Sequence, residues 1–211
     1  MDPDAVEIRV AGCLVEKQRT TPDAYPLSLN ALRLACNQST NRDPVVDYDE
    51  AMVGEALRRL ALRGWTRLAS GAGSRARKYR HLLPDALSVD EGELALLGVL
   101  ALRGPQTPGE LKQRSERLHA FADLAAVEET LERLVERELV ARHRRRPGQK
   151  EERYSQLLGG EGPAAAAAES EAEPPAEQPG STESDRLDRL EHELATLREQ
   201  VARLREALGE G

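Results

Sequence analysis

The chain has 211 residues, of which 32% are charged and only 3% are aromatic, so its core has to rest on Leu, Val and Ala, as in small helical domains. The net charge of −7 belongs to the C-terminal part, because residues 161–211 carry 5 Lys/Arg and 13 Asp/Glu, whereas residues 1–160 are close to neutral. No apolar run approaches the roughly 20 residues of a membrane-spanning helix, and the N-terminal segment lacks the pattern of a signal peptide, so we expect a cytoplasmic protein with no membrane partner.

The first predicted domain, residues 1–86, consists of three helices followed by a β-hairpin. The helical apolar stripes are Val6, Val10 and Leu14, then Leu29, Leu32, Ala35 and Cys36, then Val53, Ala56, Leu57 and Leu60. Asp47 is the expected N-cap of the third helix, and the predicted strands are residues 65–69 and 78–83, joined by a turn at residues 70–74. We expect Cys13 and Cys36 to be reduced core residues.

The second predicted domain, residues 87–158, repeats this order of elements. The apolar stripe of its first helix is Leu94, Leu97 and Leu100, and that of its third helix is Val127, Leu131, Leu134 and Val135. A short second helix is predicted near residues 110–116. Ser88 with Glu91 and Thr107 with Glu110 have the form of capping boxes. The predicted strands are residues 139–144 and 153–158, joined by a turn at residues 146–149.

The two domains also share a weak sequence repeat. Residues 55–68 align with residues 129–142, and residues 7–22 align without gaps with residues 93–108, so that Gly12 meets Gly98. Three helices closed by a hairpin, found twice, predict a mainly α fold with small β-hairpins, namely two tandem winged-helix domains plus a C-terminal coiled-coil helix.

The C-terminal part separates into a linker and a helix. Residues 159–183 are rich in Ala, Pro and Glu and are predicted to be a disordered linker. Residues 184–209 have a leucine heptad seam, formed by Leu187, Leu190, Leu194, Leu197, Val201, Leu204 and Leu208. We expect this helix to pair two chains into a homodimer; the alternative is that it folds back on its own domains.

Enzymatic motifs are absent from the sequence. Residues 71–76 fit the letters GxGxxA, but they lie between two strands and form the expected tip of the first wing. The four histidines are scattered, and the acidic residues are expected on solvent-facing helix positions. We therefore expect no catalytic residues, no metal site and no cofactor.

Two basic clusters lie on the predicted wings. The candidate nucleic-acid contacts are Arg75, Arg77, Lys78 and Arg80 in the first wing, and Arg144, Arg145, Arg146 and Lys150 in the second. Arginines on a wing give salt-dependent contacts to the phosphates of duplex DNA. The alternative is that exposed strands carry them for solubility and edge protection.

The predicted third helices do not favour base readout. In the second domain this helix exposes Glu128, Glu129, Glu132 and Glu136, and an acidic helix in a major groove is repelled by DNA. Any DNA contact is therefore expected from the first domain and the two wings.

Residues 20–45 and 103–158 contain the strings TTPDAYPLSLNALRLACNQSTNRDPV, LRGPQTPGELKQRSERLHAF and RRPGQKEERYSQLL, which resemble the bacterial YceH family of uncharacterised proteins. The resemblance covers about residues 5–158, and the C-terminal helix is similar to that family's ending. It implies tandem winged helices and a suspected DNA-binding or regulatory role, with no established activity. Within it, the polar residues Asn37, Gln38, Asn41 and Arg42 either bond the backbone of a turn or contact a phosphate or partner.

Two functional hypotheses follow. The first is a non-enzymatic, DNA-associated regulatory protein that contacts phosphates through its basic wings. The second is a protein–protein interaction or scaffold module that uses winged helices as docking surfaces.

Overall fold

The computed structural model describes residues 2–69, 77–145 and 151–159. The helices of this part are α1 (Ala5–Thr20), α2 (Leu29–Cys36), α3 (Glu50–Leu62), α4 (Leu83–Leu87), α5 (Glu91–Arg103), α6 (Pro108–Ser115) and α7 (Leu124–Glu136). The strands are β1 (Leu27–Ser28), β2 (Thr66–Leu68), β3 (Lys78–His81), β4 (Val140–His143) and β5 (Arg153–Gln156). The expected mainly α fold with small β-hairpins is thereby confirmed, while the predicted linker and heptad helix lie outside the described residues.

Side chains that cap the first turns fix where the helices begin. Asp4 and Asp90 form capping boxes with Glu7 and Glu93 at the starts of α1 and α5. The prediction that Ser88 and Glu91 form the second of these boxes was wrong, because Ser88 adopts a left-handed conformation at the end of α4. The chain therefore starts α5 two residues after the position that the sequence pattern suggested.

Two further sequence predictions also need correction. The N-cap of α3 is Asp49, whose carboxylate accepts from the Met52 backbone N–H at 2.7 Å, and not Asp47. The second strand of the first hairpin ends at His81, since Leu83 already begins the short helix α4. Pro84 suits the first turn of that helix, where its missing N–H leaves no bond unmade.

The strands form two small antiparallel sheets. The first has the order β1–β3–β2, and the second pairs β4 with β5. Gln106 forms an isolated bridge with Tyr154 on β5, and this bridge is the second half's equivalent of the pairing of β1 with β3. Each half of the described chain therefore has the order helix, short extended segment, helix, helix and hairpin.

The two halves share one hydrophobic cluster, in which α1 packs against α5. Glycines permit the close approach of these helices. A Cβ at Gly12 would lie 3.0 Å from the Ala101 Cβ, and a Cβ at Gly98 would lie 2.9 Å from the Val15 Cγ1. The glycine pair that the sequence alignment matched thus lies at the centre of the contact between the halves.

Both cysteines belong to this cluster. Cys13 on α1 and Cys36 at the end of α2 are buried and free, which agrees with their expected place in the core. A hydrogen bond that the Cys36 thiol donates to Cys13, together with burial, raises the pKa of Cys36. No helix in the described part of the chain is long and apolar enough to cross a membrane.

Candidate nucleic-acid interface

The outer face of the first sheet holds a cluster of cations. Arg67 on β2 lies directly opposite Arg80 on β3, and Lys78 lies two residues from Arg80 on the same face. The opposite face is directed inward, as the burial of Thr66 and His81 shows. We call Arg67, Lys78 and Arg80 the first-sheet cation cluster.

Nothing among the described residues neutralises this cluster. Neither its three members nor the exposed Arg77 beside it forms an ion pair with a described acidic residue, and the buried Nε of Arg80 has no hydrogen-bond partner there. Like charges directly opposite on paired strands destabilise the pair. The arrangement is therefore one that a bound anion would stabilise. Arg75 lies outside the described residues.

The inner face of the sheet is held by neutral hydrogen bonds. The His81 backbone N–H donates to the Tyr25 hydroxyl at 2.9 Å, and His81 Nε2 lies 2.7 Å from Gln18 Oε1 on α1. Burial, together with the charges of Arg80 and Arg19, lowers the pKa of His81 to about 4. The imidazole is thus neutral at physiological pH, and it anchors the sheet to α1.

The second hairpin presents its cations differently. Arg142 on β4 forms an ion pair with Glu132 on α7 and lies 3.7 Å from the Glu152 carboxylate, with its guanidinium 5.5 Å above the Tyr154 ring. Arg153 binds Glu110 at 3.1 Å. These two arginines therefore serve the fold of their own half.

The remaining cations of the second hairpin divide into two groups. Arg144 and Arg145 are exposed and have no acidic partner among the described residues. Arg146 and Lys150 lie outside the described residues. Arg144 and Arg145 are thus the part of the second predicted cluster that the structure places on the surface.

The third helix of each half is anchored by arginines that reach back to the first helix. In the first half, Arg63 lies 3.3 Å from Glu7, and Arg59 lies 2.7 Å from Asp4. The expectation that acidic residues occupy solvent-facing positions was wrong for Glu7, which is buried. The sequence pattern did not show this, because the arginine partners of Glu7 are more than 50 residues away.

The second half repeats this arrangement residue by residue. Glu93 is also buried, and it binds Arg137 at 3.1 Å and Arg133 at 3.5 Å. Arg133 and Arg137 are the residues that align with Arg59 and Arg63 in the sequence repeat. The duplication therefore extends from the order of elements to the charged contacts that join the first and third helices.

The third helices offer few cations to a partner. Arg58, on the exposed side of α3, forms an ion pair with Glu55 at 2.6 Å. On α7 the residues Glu128, Glu129, Glu132 and Glu136 are exposed, as the sequence predicted. These surfaces are unsuited to lying against phosphates.

The polar string between the second and third helices forms internal contacts. Asn37 accepts from the Tyr48 backbone N–H at 2.9 Å and donates to the Tyr48 carbonyl at 2.8 Å, which closes the loop before α3. Gln38 accepts from Arg42 at 2.9 Å, and Asn41 accepts from Arg103. The string thus connects the loop to both halves of the molecule.

Arg42 is the centre of this network, and its side chain is fully buried. Its guanidinium donates to both oxygens of Glu16, at 3.1 and 2.6 Å, and to the carbonyls of Ala35 and Asn41. Paired and bonded in this way, a buried charge is tolerated. All of these bonds are made within the chain.

Some residues of the candidate sites cannot be recognised from the sequence alone. Arg67 was not singled out, because only the strand register places it opposite Arg80. Arg103, Arg114 and Arg117, which line one cleft, were also missed because they are spread over two helices and a turn. The predicted oligomerisation seam, from Leu187 to Leu208, lies outside the described residues.

Comparison with known proteins gives one consistent result. A family model described as "Protein of unknown function, DUF480" matches residues 4–149. A protein of Pelobacter propionicus named "UPF0502 protein" is 50% identical over 203 residues, covering 94% of this chain and 91% of its own. Proteins of the same name from Geotalea daltonii and Azotobacter vinelandii are each 51% identical, over 89% and 74% of this chain and 86% and 69% of theirs.

Proposed function

This chain belongs to the DUF480 family of proteins of unknown function, and we propose that it is a non-enzymatic, cytoplasmic, DNA-associated regulatory protein. The expected membership of an uncharacterised bacterial family is thereby confirmed. The proposed role rests on the geometry of the described residues, with the first sheet as the main contact to duplex DNA.

We propose that each half of the described chain belongs to a winged-helix domain, the first spanning residues 1–86 and the second residues 87–158. The order of elements supports this assignment. In each half a hairpin follows three helices, and a short extended segment just before the second of these helices pairs with the hairpin. The repeated charged contacts between first and third helices support a duplication of one domain.

The first-sheet cation cluster carries the proposal. Arg67 and Arg80 face each other across the strands without an acidic partner among the described residues, beside Lys78. Neutralising phosphates with such side chains releases counterions from DNA, which favours binding at low salt. A phosphate between the two guanidinium groups would also remove their mutual repulsion.

The mode of binding follows from the third helices. The exposed carboxylates of α7 oppose insertion into a major groove, and Arg58 on α3 is already paired with Glu55. We therefore propose contacts to the DNA backbone with little direct base readout. Such binding depends strongly on salt and weakly on sequence.

Fluorescence anisotropy with several unrelated duplexes, at low and at physiological salt, tests this proposal. We expect Arg67→Gln to weaken binding to all duplexes and to reduce the slope of log affinity against log salt by about 1. Arg117→Gln, which removes one exposed arginine from the other half, is the control and should leave the slope unchanged. Absence of binding at low salt would exclude the proposal.

The second wing can be tested separately. Replacing Arg144, Arg145 and Arg146 with Ala should weaken binding uniformly and flatten the salt slope further, by about 1 for each DNA phosphate that these arginines neutralise. An unchanged slope would restrict the DNA contact to the first sheet.

A second candidate function is docking of a protein partner. Exposed apolar side chains favour it, since Leu62 on α3 is 77% exposed and Leu124 at the start of α7 is 43% exposed, next to the acidic face of α7. Affinity capture after nuclease treatment separates the two functions. A stoichiometric partner that no longer binds a Leu124→Asp variant would favour docking, and unchanged recovery with that variant would count against this surface.

A further inference from the structure

A cleft of about 370 Å³ lies where the first half of the molecule meets the second. The end of α1 and the loop before α3 form one side, and α5, α6 and the following turn form the other. Its charged and amide-bearing lining residues are Glu16, Asn41, Arg103, Gln113, Arg114 and Arg117. The volume falls in the range of about 300–1,000 Å³ that is usual for small-molecule sites.

The charge of this cleft is positive. Three of the lining residues are arginines, and Glu16 is the one carboxylate among them. The charge of Glu16 is already compensated, because the buried Arg42 binds it at 2.6 Å and Lys17 lies 3.4 Å away. The three arginines therefore set the potential that a ligand would meet.

The arginines have few partners of their own. Arg117 is exposed and forms no ion pair with a described residue. Arg114 lies 3.5 Å from Glu110, but that carboxylate is also bound by Arg153 at 3.1 Å. Burial, followed by the charges of Arg114 and Arg42, lowers the pKa of Arg103. Positive charge is thus concentrated here without matching negative charge.

The cleft is also held in shape before any ligand binds. Arg42 donates to the Asn41 carbonyl at 2.9 Å, and Asn41 adopts a left-handed conformation with φ of 61°. Its side-chain oxygen accepts from Arg103. The loop therefore fixes the Arg103 guanidinium at the wall of the cleft, and preorganised donors bind a ligand at a lower entropic cost.

We infer that this cleft binds a small phosphate-bearing anion with two or more negative charges. Planar guanidinium groups bind phosphate oxygens in pairs, and Gln113 adds an uncharged amide donor. Because its two sides come from different halves, a ligand here would stabilise the packing of α1 against α5. The inference stands independently of DNA binding, which is assigned to the first sheet.

Isothermal titration of the full-length protein with inorganic pyrophosphate, at constant ionic strength, tests the inference. We expect one pyrophosphate per chain, bound more tightly than sulfate or citrate. Arg117→Gln and Arg114→Gln should each weaken binding about tenfold, as expected for removal of one charge-assisted hydrogen bond. Arg58→Gln, which removes an exposed arginine of α3 that lies outside the cleft, should change nothing.

Three results would overturn the inference: no binding, equal affinity for sulfate and pyrophosphate, or the same weakening in Arg58→Gln as in Arg117→Gln. Arg117 is exposed and makes no contact that the fold needs, so its replacement leaves the protein folded; circular dichroism checks this. Anisotropy with duplex DNA on the same variants separates failure of this site from failure of the DNA interface.

Discussion

His81 shows how burial sets the charge of a single residue. Its Nε2 lies against Gln18 Oε1, and its Nδ1 is buried without a hydrogen-bond partner among the described residues. Protonation of Nδ1 would therefore create a buried N–H donor for which the described residues offer no acceptor. Burial and two nearby arginines lower the pKa of His81 to about 4, below the usual 6.5.

This shift predicts a dependence of stability on pH. The unfolded chain binds a proton at His81 below about pH 6.5, whereas the folded chain binds one only near pH 4. The free energy of unfolding should therefore fall as pH decreases through this window, by about 2–3 kcal/mol from this residue. Urea unfolding at pH 7 and pH 4.5 measures the change.

His81→Gln provides the comparison, because its amide keeps a donor for Gln18 but does not titrate. We expect the variant to lose about 2 kcal/mol less than the wild type over the same pH interval. Equal losses in the two proteins would show that His81 does not cause the acid sensitivity.

At the scale of elements, the first hairpin combines pairing of its strands with repulsion between their side chains. Arg67 faces Arg80 on the outer side, while Thr66 faces His81 on the inner side. Like charges directly opposite cost roughly 0.2–1 kcal/mol. The sheet therefore gives up some stability at the place where we propose that phosphates bind.

Replacing Arg67 with Gln should stabilise the free protein while weakening its binding to DNA. We expect the free energy of unfolding to rise by about 0.3–0.5 kcal/mol at low salt and the gain to shrink as salt screens the charges. Thermal or urea unfolding at two salt concentrations measures it. Arg77→Gln removes an equal charge next to the strand pairs and should give no such gain; an equal gain in both variants would argue against cross-strand repulsion.

The elements themselves could largely be predicted from the sequence. Apolar residues at helical spacing located five of the described helices, and the capping pattern of Thr107 and Glu110 located the short helix α6. The short helix α4 was missed, since its Leu83 continues the apolar pattern of the preceding strand. The N-cap of α3 was misplaced because two aspartates, Asp47 and Asp49, precede that helix, and only Asp49 bonds its first turn.

The candidate site was harder to predict than the elements. The sequence singled out Lys78 and Arg80 by their local basic pattern, but Arg67 joins them only through strand register. The network around Arg42 likewise depends on contacts such as that with Glu16, 26 residues away. Local composition shows which charges are present, and the fold decides which of them are paired.

At the scale of the whole molecule, the two halves depend on a close crossing of α1 and α5. A Cβ at Gly98 would lie 2.9 Å from Val15, a β-branched side chain that cannot easily turn away. We expect Gly98→Ala to destabilise the protein by about 1 kcal/mol or more, since overpacking costs about 1–3 kcal/mol and outweighs the helix propensity gained. Chemical denaturation measures the difference.

Gly54 on α3 provides a matched control, because a Cβ there would meet nothing within 4 Å. Gly54→Ala should therefore stabilise the protein by about 0.5–1 kcal/mol through helix propensity alone. If both alanine variants were stabilised equally, the close packing at Gly98 would not limit the contact between the halves.

The assembly of two chains is the last property that we propose, and it depends on residues 184–209, outside the described part of the chain. Their leucine seam has the period of a coiled coil, and an isolated helix of this length is marginal in water, so pairing would stabilise it. A homodimer would bring two first-sheet cation clusters onto one duplex and raise the apparent affinity by multivalency.

Deleting residues 184–211 should therefore convert a dimer into a monomer in sedimentation experiments. It should also weaken DNA binding, because a monomer brings only one first-sheet cation cluster to the duplex. Leu197→Asp, within the seam, should have the same effect, because it places a charge in the interface of the paired helices. Thr196→Asp, one residue away and off the seam, is the control and should remain dimeric. A full-length protein that sediments as a monomer would contradict pairing between chains and favour the alternative, in which the helix folds back on its own domains.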